Sequence, residues 1–386
     1  MIQTESCIGC QACVEMCPAH AITLCRDSWG EGRAAVDAGK CIGCGLCDRI
    51  CPAAHAEFYS VAKTVNAVVS IKHRKTGSSG GVFYEIASAF IESGGVVYGA
   101  AFDENLKLLH RRAANPDELM PLCKSKYLHS DMTGVYSSIC SDLNAGVKVL
   151  FVGTPCQVSA VKNLFSRRYD DLLYLADFLC RGTGTQRVFD ACIREEEKKR
   201  GGKITAFCFR AKVRKAEHSF SYTLDQGGIQ KVISGYAFEF PYYHSFLKYT
   251  IFNDACYGCT YAQNARVGDI TLGDFWGIQR CDPSLRDWEG VSMLAVHSKK
   301  GEQLFSMIKP ACTAHSYDLH TAASRNQSFH TPLPYPERKT ELAEILKNGG
   351  EAALADALTC PDIKKNLLWA RTPNIIKRAY RKLRRK

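Results

Sequence analysis

Apolar residues at Val82, Phe83, Ile86, Ala87, Phe90 and Ile91 recur at the spacing of one helix face, and Gly94-Gly95 close the pattern. Val96–Phe102 then reads as a strand. Further along, Val147–Val152 is an apolar run of the kind buried on both faces. Gln157–Phe165 has helical spacing, and Leu172–Leu179 is a second apolar run. Strand, helix and strand in that order predict a βαβ unit, with parallel pairing and a ligand edge at the strand C-termini. A strand-like Asp269–Leu272 runs into Gly273-Asp274-Phe275-Trp276-Gly277. Tyr236, Phe238, Phe240, Tyr242, Tyr243 and Phe246 alternate partly in strand fashion and read as core. Residues 194–203 read as an exposed helix end closed by Gly201-Gly202. Residues 54–72 read as a linker, and those beyond about 315 as a helical extension.

The N-terminal segment departs from this pattern. It holds "CIGCQACVEMCP" from Cys7 and "CIGCGLCDRICP" from Cys41. Both runs have the C-x2-C-x2-C-x3-C-P spacing of two-cluster ferredoxins, in which three close thiolates hold one cube and the fourth reaches the other. Cys7, Cys10, Cys13 and Cys51 are therefore expected to hold one [4Fe–4S] cluster, and Cys41, Cys44, Cys47 and Cys17 a second. Gly9, Gly43 and Gly45 let the backbone curl near the inorganic core. Zinc sites use paired C-x2-C units and disulfide frameworks belong to short secreted chains, so neither fits as well.

Twenty cysteines in 386 residues, with no leader-like start and no long apolar run, point to a reduced, cytoplasmic setting and to an anaerobe. The net charge of +11 is mostly local: residues 371–386 hold eight Lys or Arg and no acid, leaving +3 elsewhere. That tail suits a solvated helix end or peripheral contact with an acidic membrane or protein. The remainder is not charged as a nucleic-acid binder would be.

Two further cysteines fall on the predicted strand edge, Cys156 in Thr154-Pro155-Cys156-Gln157 and Cys180 before Arg181-Gly182. Cys256 and Cys259 form a C-x2-C pair. The four make a third candidate thiolate set, for a [4Fe–4S] cluster or for zinc. Ser78, Ser79, Gly80, Gly81 and Val82 feed a helix N-terminus, which suits either a phosphate or a plain N-cap. His20, His55, His110, His129 and His244 have no ligand spacing and read as structural.

The series "SSGGVF", "SKYLHS", "VLFVGTPCQVSAVK", "DFLCRG" and "CYGCTYAQNARVGDITLGDFWGI" resembles the coenzyme F420 hydrogenase/dehydrogenase beta-subunit family over roughly residues 60 to 300, an appended two-cluster ferredoxin being a common arrangement there. The resemblance implies a flavin, FAD or FMN, held in an α/β core beside an iron–sulfur cluster. It also implies hydride exchange with coenzyme F420 or a nicotinamide-like partner. Carried over by motif, Ser78 to Val82 would lie at the flavin. Lys124 or Lys126 would meet a phosphate or the ring edge, and Thr154, Pro155 and Gln157 would frame cluster and flavin. Lys126 is the candidate catalytic cation for a reduced ring. Asp269 and Asp274 either bond ribityl or substrate groups or cap strands and turns. "RGTGT" after Cys180 and Asn253 before the C-x2-C pair depart from the family pattern beside the presumed substrate side.

The fold expected is α/β (α+β overall). It comprises a ferredoxin-like domain at 1–56, an α/β flavin-binding core at 70–310 and a helical extension with a basic tail at 311–386. The function expected is an iron–sulfur flavoprotein oxidoreductase working with a redox partner protein or ferredoxin and a small hydride carrier. The alternative is a ferredoxin-type electron-transfer subunit, without a substrate of its own, docking on a partner enzyme.

Overall fold

In a computed structural model, residues 6–372 are described, except 60, 63, 214, 215, 286, 287, 325, 327, 328 and 330. Residues 373–386, most of the basic tail, lie outside the described residues.

Strands β1 (Ile22–Arg26) and β2 (Gly32–Val36) pair antiparallel at the N-terminus, flanked by one-turn helices Ala12–Glu15 and Leu46–Arg49. The main sheet uses β3 (Thr64–Ser70), β4 (Val96–Phe102), β5 (Leu108–Ala113), β6 (Val149–Gly153) and β7 (Leu173–Phe178). It is completed by β11 (Ile270–Asp274), β12 (Ser292–Val296) and β13 (Cys312–Asp318). A separate antiparallel sheet comprises β8 (Lys203–Phe209), β9 (Ser219–Gln226) and β10 (Ile229–Tyr236). The main order is β13-β3-β12-β11-β7-β6-β4-β5, with β4, β6, β7 and β11 parallel and the outer pairs antiparallel.

The central strands divide their side chains between two apolar layers with period two. Val149 and Phe151 of β6 pack on one face with Tyr136, Ile139, Val158 and Phe165. Leu150 and Val152 pack on the other with Ile86, Phe90, Leu304 and Ile308. Helices Val135–Asn144 and Pro155–Tyr169 cover the first face, and Val82–Glu92 and Lys299–Ile308 cover the second. Burial on both faces explains why β6 has no polar alternation. Truncating Phe151 to Ala would cost about 3–5 kcal/mol. Pro155 occupies the first turn of its helix behind a Thr154–Gln157 capping box, so the chain turns sharply from β6 into the helix.

Three expectations need correction. The stretch read as a linker contains β3, an interior strand between β13 and β12. The assumed C-terminal extension begins with β13, paired to β3 over Cys312↔Ser70 to Asp318↔Thr64, so the sheet reaches past both assumed core boundaries. The aromatic run is core, but not as a strand. After β10 comes a tight turn, Ala237–Glu239, and then helix Pro241–Leu247, with Phe240, Tyr242, Tyr243 and Phe246 buried. Pro241 at the first helical position rules out strand pairing there.

Candidate metal centre and a separate cavity

The two N-terminal cysteine runs fold around two neighbouring cavities. Cys7, Cys10, Cys13 and Cys51 line the first. Cys17, Cys41, Cys44 and Cys47 line the second, with Cys13 touching both. Burial pushes the Cys13 thiol up to about 12, and Cys7, Cys51 and Cys47 add repulsion. Backbone N–H groups of Ala34 and Ala21 donate to Cys7 Sγ and Cys17 Sγ, each at 3.4 Å. Gly9 and Gly43 both have φ +66°, and a Cβ on Gly9 would stand 2.9 Å from Gly32 O. Gln11 takes the left-handed conformation that Gly45 takes in the second run. The first set is the more enclosed: Cys10 is buried, whereas Cys41 and Cys44 are exposed.

The fold also brings Cys156, Cys180, Cys256 and Cys259 together. Burial drives the Cys180 thiol well above its ordinary range, and charge on Cys256, Cys156 and Cys259 adds to it. The same effects raise Cys156 to about 12, and burial foremost raises Cys256 to about 11. Cys10 of the first set feels Cys156 of this one. Thr154 Oγ1 lies 3.1 Å from Cys156 Sγ, and Arg266 is the cation that draws on Cys259. Arg266, 2 % exposed, is fixed by Asp177 at 2.9 Å. Asp177 also accepts from Thr271 Oγ1, Val267 N and Gly268 N, which ties the C-x2-C segment to β7. Among the described residues, no three Cys, His, Asp or Glu side chains converge as one bound ion requires.

A cavity of about 300 Å³ is lined by Phe102, Leu106, Cys123, Lys124, Lys126 and Cys208, among others. Lys126 Nζ donates to Pro121 O at 2.8 Å and Cys123 O at 2.6 Å. Burial lowers this amine to about 7; a neutral amine has two N–H bonds, enough for both carbonyls. Ser125 N donates to Ser78 Oγ at 2.7 Å, tying the lysine loop to the Ser/Gly loop. That loop is cradled by cations: Arg210 donates to Ser78 O at 3.1 Å and Lys212 to Ser79 O at 2.6 Å. Asp274 holds Arg210 by two contacts of 2.9 and 3.0 Å. Gly80 packs so closely that an added Cβ would meet Val68 O at 2.3 Å. Gly81, φ +86°, precedes helix Val82–Glu92, and Val82 is buried.

A hydrogen-bond chain runs from the third set to His110. Thr154 Oγ1 donates to Gln157 Oε1 (2.9 Å), Gln157 Nε2 to Ser130 Oγ (2.9 Å), and Ser130 Oγ lies 2.7 Å from His110 Nδ1. His110 Nε2 reaches Val152 O at 3.1 Å and so carries the proton there. Burial foremost, then His129 and Lys126, hold His110 down at about 4.

Residues 146–319 match the family model for the C terminus of the coenzyme F420 hydrogenase/dehydrogenase beta subunit, and residues 6–55 match that of a 4Fe-4S dicluster domain. Thirteen chains of solved structures match this chain. One, from the F420-reducing [NiFe] hydrogenase complex of Methanosarcina barkeri, is 13% identical with a TM-score of 0.46. That match covers 76% of this chain and 94% of the other. No curated protein matches.

The beta-subunit match spans β6 to β13 and all four cysteines of the third set. The structure brings Ser78, Lys124, Lys126 and Asp274 to one region, while Thr154, Pro155 and Gln157 stand at the third thiol set. Asp269 stands apart from that region. It sits just before β11, at the end opposite Asp274, where its carboxylate accepts from Leu175 N, Tyr59 Oη and Ser298 Oγ. Its role is to pin strands, which was one of the two readings of its sequence. Sequence reasoning missed Tyr261, Asp177 and the buried pair Glu31 and Lys339, which the half-exposed Asp254 joins. Glu31 and Lys339 are 308 residues apart, and no local signal marks either.

Proposed function

We propose that the chain is an iron–sulfur flavoprotein oxidoreductase that exchanges electrons between three [4Fe–4S] clusters and a hydride carrier, coenzyme F420 or a nicotinamide-like molecule. The observation that carries this reading is the proximity of Cys10 to Cys156, which makes the first and third thiol sets neighbours. Cys7, Cys10, Cys13 and Cys51, then Cys17, Cys41, Cys44 and Cys47, then Cys156, Cys180, Cys256 and Cys259 are the proposed ligand sets. Four buried, mutually repelling thiols gathered at one place suit a metal site, and their nearness to the first set favours a cube over zinc.

The residues about the Ser/Gly loop fit a flavin. Lys124, Arg210 and Lys212 surround the Ser78–Val82 loop with positive charge suited to the diphosphate of FAD. A bound flavin supplies conversion between hydride and single-electron chemistry. Lys126, with an amine near neutrality, is placed to hold or release a proton at Nζ beside the cavity and is the proposed catalytic residue. Gln157 and Thr154 orient the Cys156 segment, and Phe102 and Phe209 wall the cavity against water. The proposed division is a ferredoxin-like unit at 1–56, a catalytic core whose sheet runs from β3 to β13, and a helical C-terminal part after it.

One observation favours a second reading, an electron-transfer subunit with no substrate of its own. Cys41, Cys44 and Ile42 are exposed at the second set, as a docking port for a redox partner protein would be. Among the described residues no helix is long and apolar enough to cross a membrane. Anaerobic purification with iron, sulfide, zinc and flavin counted per chain separates the readings. About twelve irons and one flavin support the flavoprotein. About eight irons with zinc and no flavin support the electron-transfer reading.

A further inference from the structure

We infer that Tyr261 is a positioning residue that couples the third thiol set to the first, an inference that rests on reading both sets as cluster sites. Tyr261 follows Cys259 by two residues and is 5 % exposed. Its Oη donates to Pro52 O at 2.6 Å, and Pro52 directly follows Cys51. One hydrogen bond thus closes a route from Cys259 through Thr260 and Tyr261 to Pro52 and Cys51. The ring packs in the same apolar cluster as Cys10, Cys156 and Cys259, with Phe58 at 5.7 Å. Cys156, Cys259 and Cys10 all lie close enough to act on its phenol, so the ring stands beside members of both sets.

With clusters bound at both sets, this route would serve the passage of one electron from a reduced cluster to its oxidised neighbour. No bond forms or breaks, and the phenol proton stays on Oη. Electronic coupling weakens with every gap an electron must cross, so a bonded route broken by a single hydrogen bond favours transfer over a void. Tyr136 offers a contrast. Its Oη donates to Cys10 O at 2.7 Å, and Glu15 caps the start of its helix through Gly134 N and Ser137 N. Tyr136 holds the ferredoxin unit in place, but it is not adjacent in sequence to any cysteine of the third set.

The test uses the full chain purified anaerobically as wild type, Y261F, Y261L and the control Y136F, with iron counted in each. Two quantities are read: the magnetic-interaction splitting of the fully reduced protein by EPR, and the freeze-quench rate at which the third set is reduced through the first. With about twelve irons retained, Y261F should slow that transfer severalfold and narrow the splitting. Y261L should do so further, and Y136F should alter the rate least. Should Y261L fail to assemble its clusters, Y261F decides alone. Unchanged rate and splitting in an iron-replete Y261F overturn the inference. About eight irons in the wild type overturn the third-cluster reading and this inference together, so the iron count tells the two failures apart.

Discussion

Replacing Lys339 with Met removes an ammonium that joins three distant parts of the chain. Its Nζ lies 2.6 Å from Glu31 Oε1 in the ferredoxin segment and 2.6 Å from Phe252 O, and it pairs with Asp254, two residues before Cys256. The side chain is 4 % exposed, and the rings of Trp29, Tyr257 and Tyr335 stand 5.5 to 5.7 Å from Nζ. Glu31 is buried as well and accepts from Asp254 N at 2.9 Å. Removing one partner of a buried pair strands the other charge and costs about 3–5 kcal/mol. The Glu31 carboxyl already lies above its ordinary range, because burial outweighs the pull of Lys339. Without Lys339 it rises further. A carboxyl with a folded pKa above its unfolded one binds more protons in the folded state, so stability falls as pH rises through that window. The deficit of K339M should therefore be larger at about pH 8 than at about pH 5. Anaerobic urea unfolding followed by tryptophan fluorescence measures it, Trp29 being in the network. The double variant E31Q/K339M should recover much of the loss, since a neutral amide leaves no stranded charge on Glu31's position. A loss under about 1 kcal/mol at both pH values, the size of an exposed pair, would refute this reasoning.

Other outcomes follow from the same geometry. Cys156→Ala should lower the iron count from about twelve to about eight per chain while leaving the two N-terminal sets loaded. Lys126 has a folded pKa of about 7, below the unfolded lysine value, so the unfolded chain binds more protons between the two. Stability should accordingly rise with pH from about 7 to about 10, and K126M should flatten that rise in pH-dependent melting. Gly80→Ala puts a Cβ 2.3 Å from Val68 O, so the Ser/Gly loop must move off β3. Lower Tm and loss of bound flavin should appear together. Asp177→Asn leaves the Arg266 cation without its counter-charge in the core, and about 3–5 kcal/mol of stability should go with it.

What could be read from the sequence was what is encoded locally. Cluster ligands sit within a few residues of one another, so spacing alone paired Cys7, Cys10 and Cys13, and the two cavities gather the sets that the crossed ferredoxin pattern predicts. The β6–helix–β7 unit was legible because strands buried on both faces carry unbroken apolar runs. β13 was not legible. Of its residues only Cys312 is buried, and an edge strand facing water shows no pattern to find. β3 was missed with it, because its pairing depends on β12 and β13, more than two hundred residues away.

The acids show why a motif does not settle a role. Asp269 and Asp274 lie five residues apart in one run, yet they stand at opposite ends of β11. One pins strands and the other holds the arginine that cradles the Ser/Gly loop. Only strand register separates them, and that register is set by pairing to β7 and β12. Lys339 carries the same point further. A lysine in a helix with no recognisable chemistry becomes the buried counter-charge beside the C-x2-C segment. Charge placement of this kind, 308 residues from its partner, exists only once the chain has closed on itself. The proposed thiol sets are therefore readable from sequence, but the contacts that fix one set against the next require the fold.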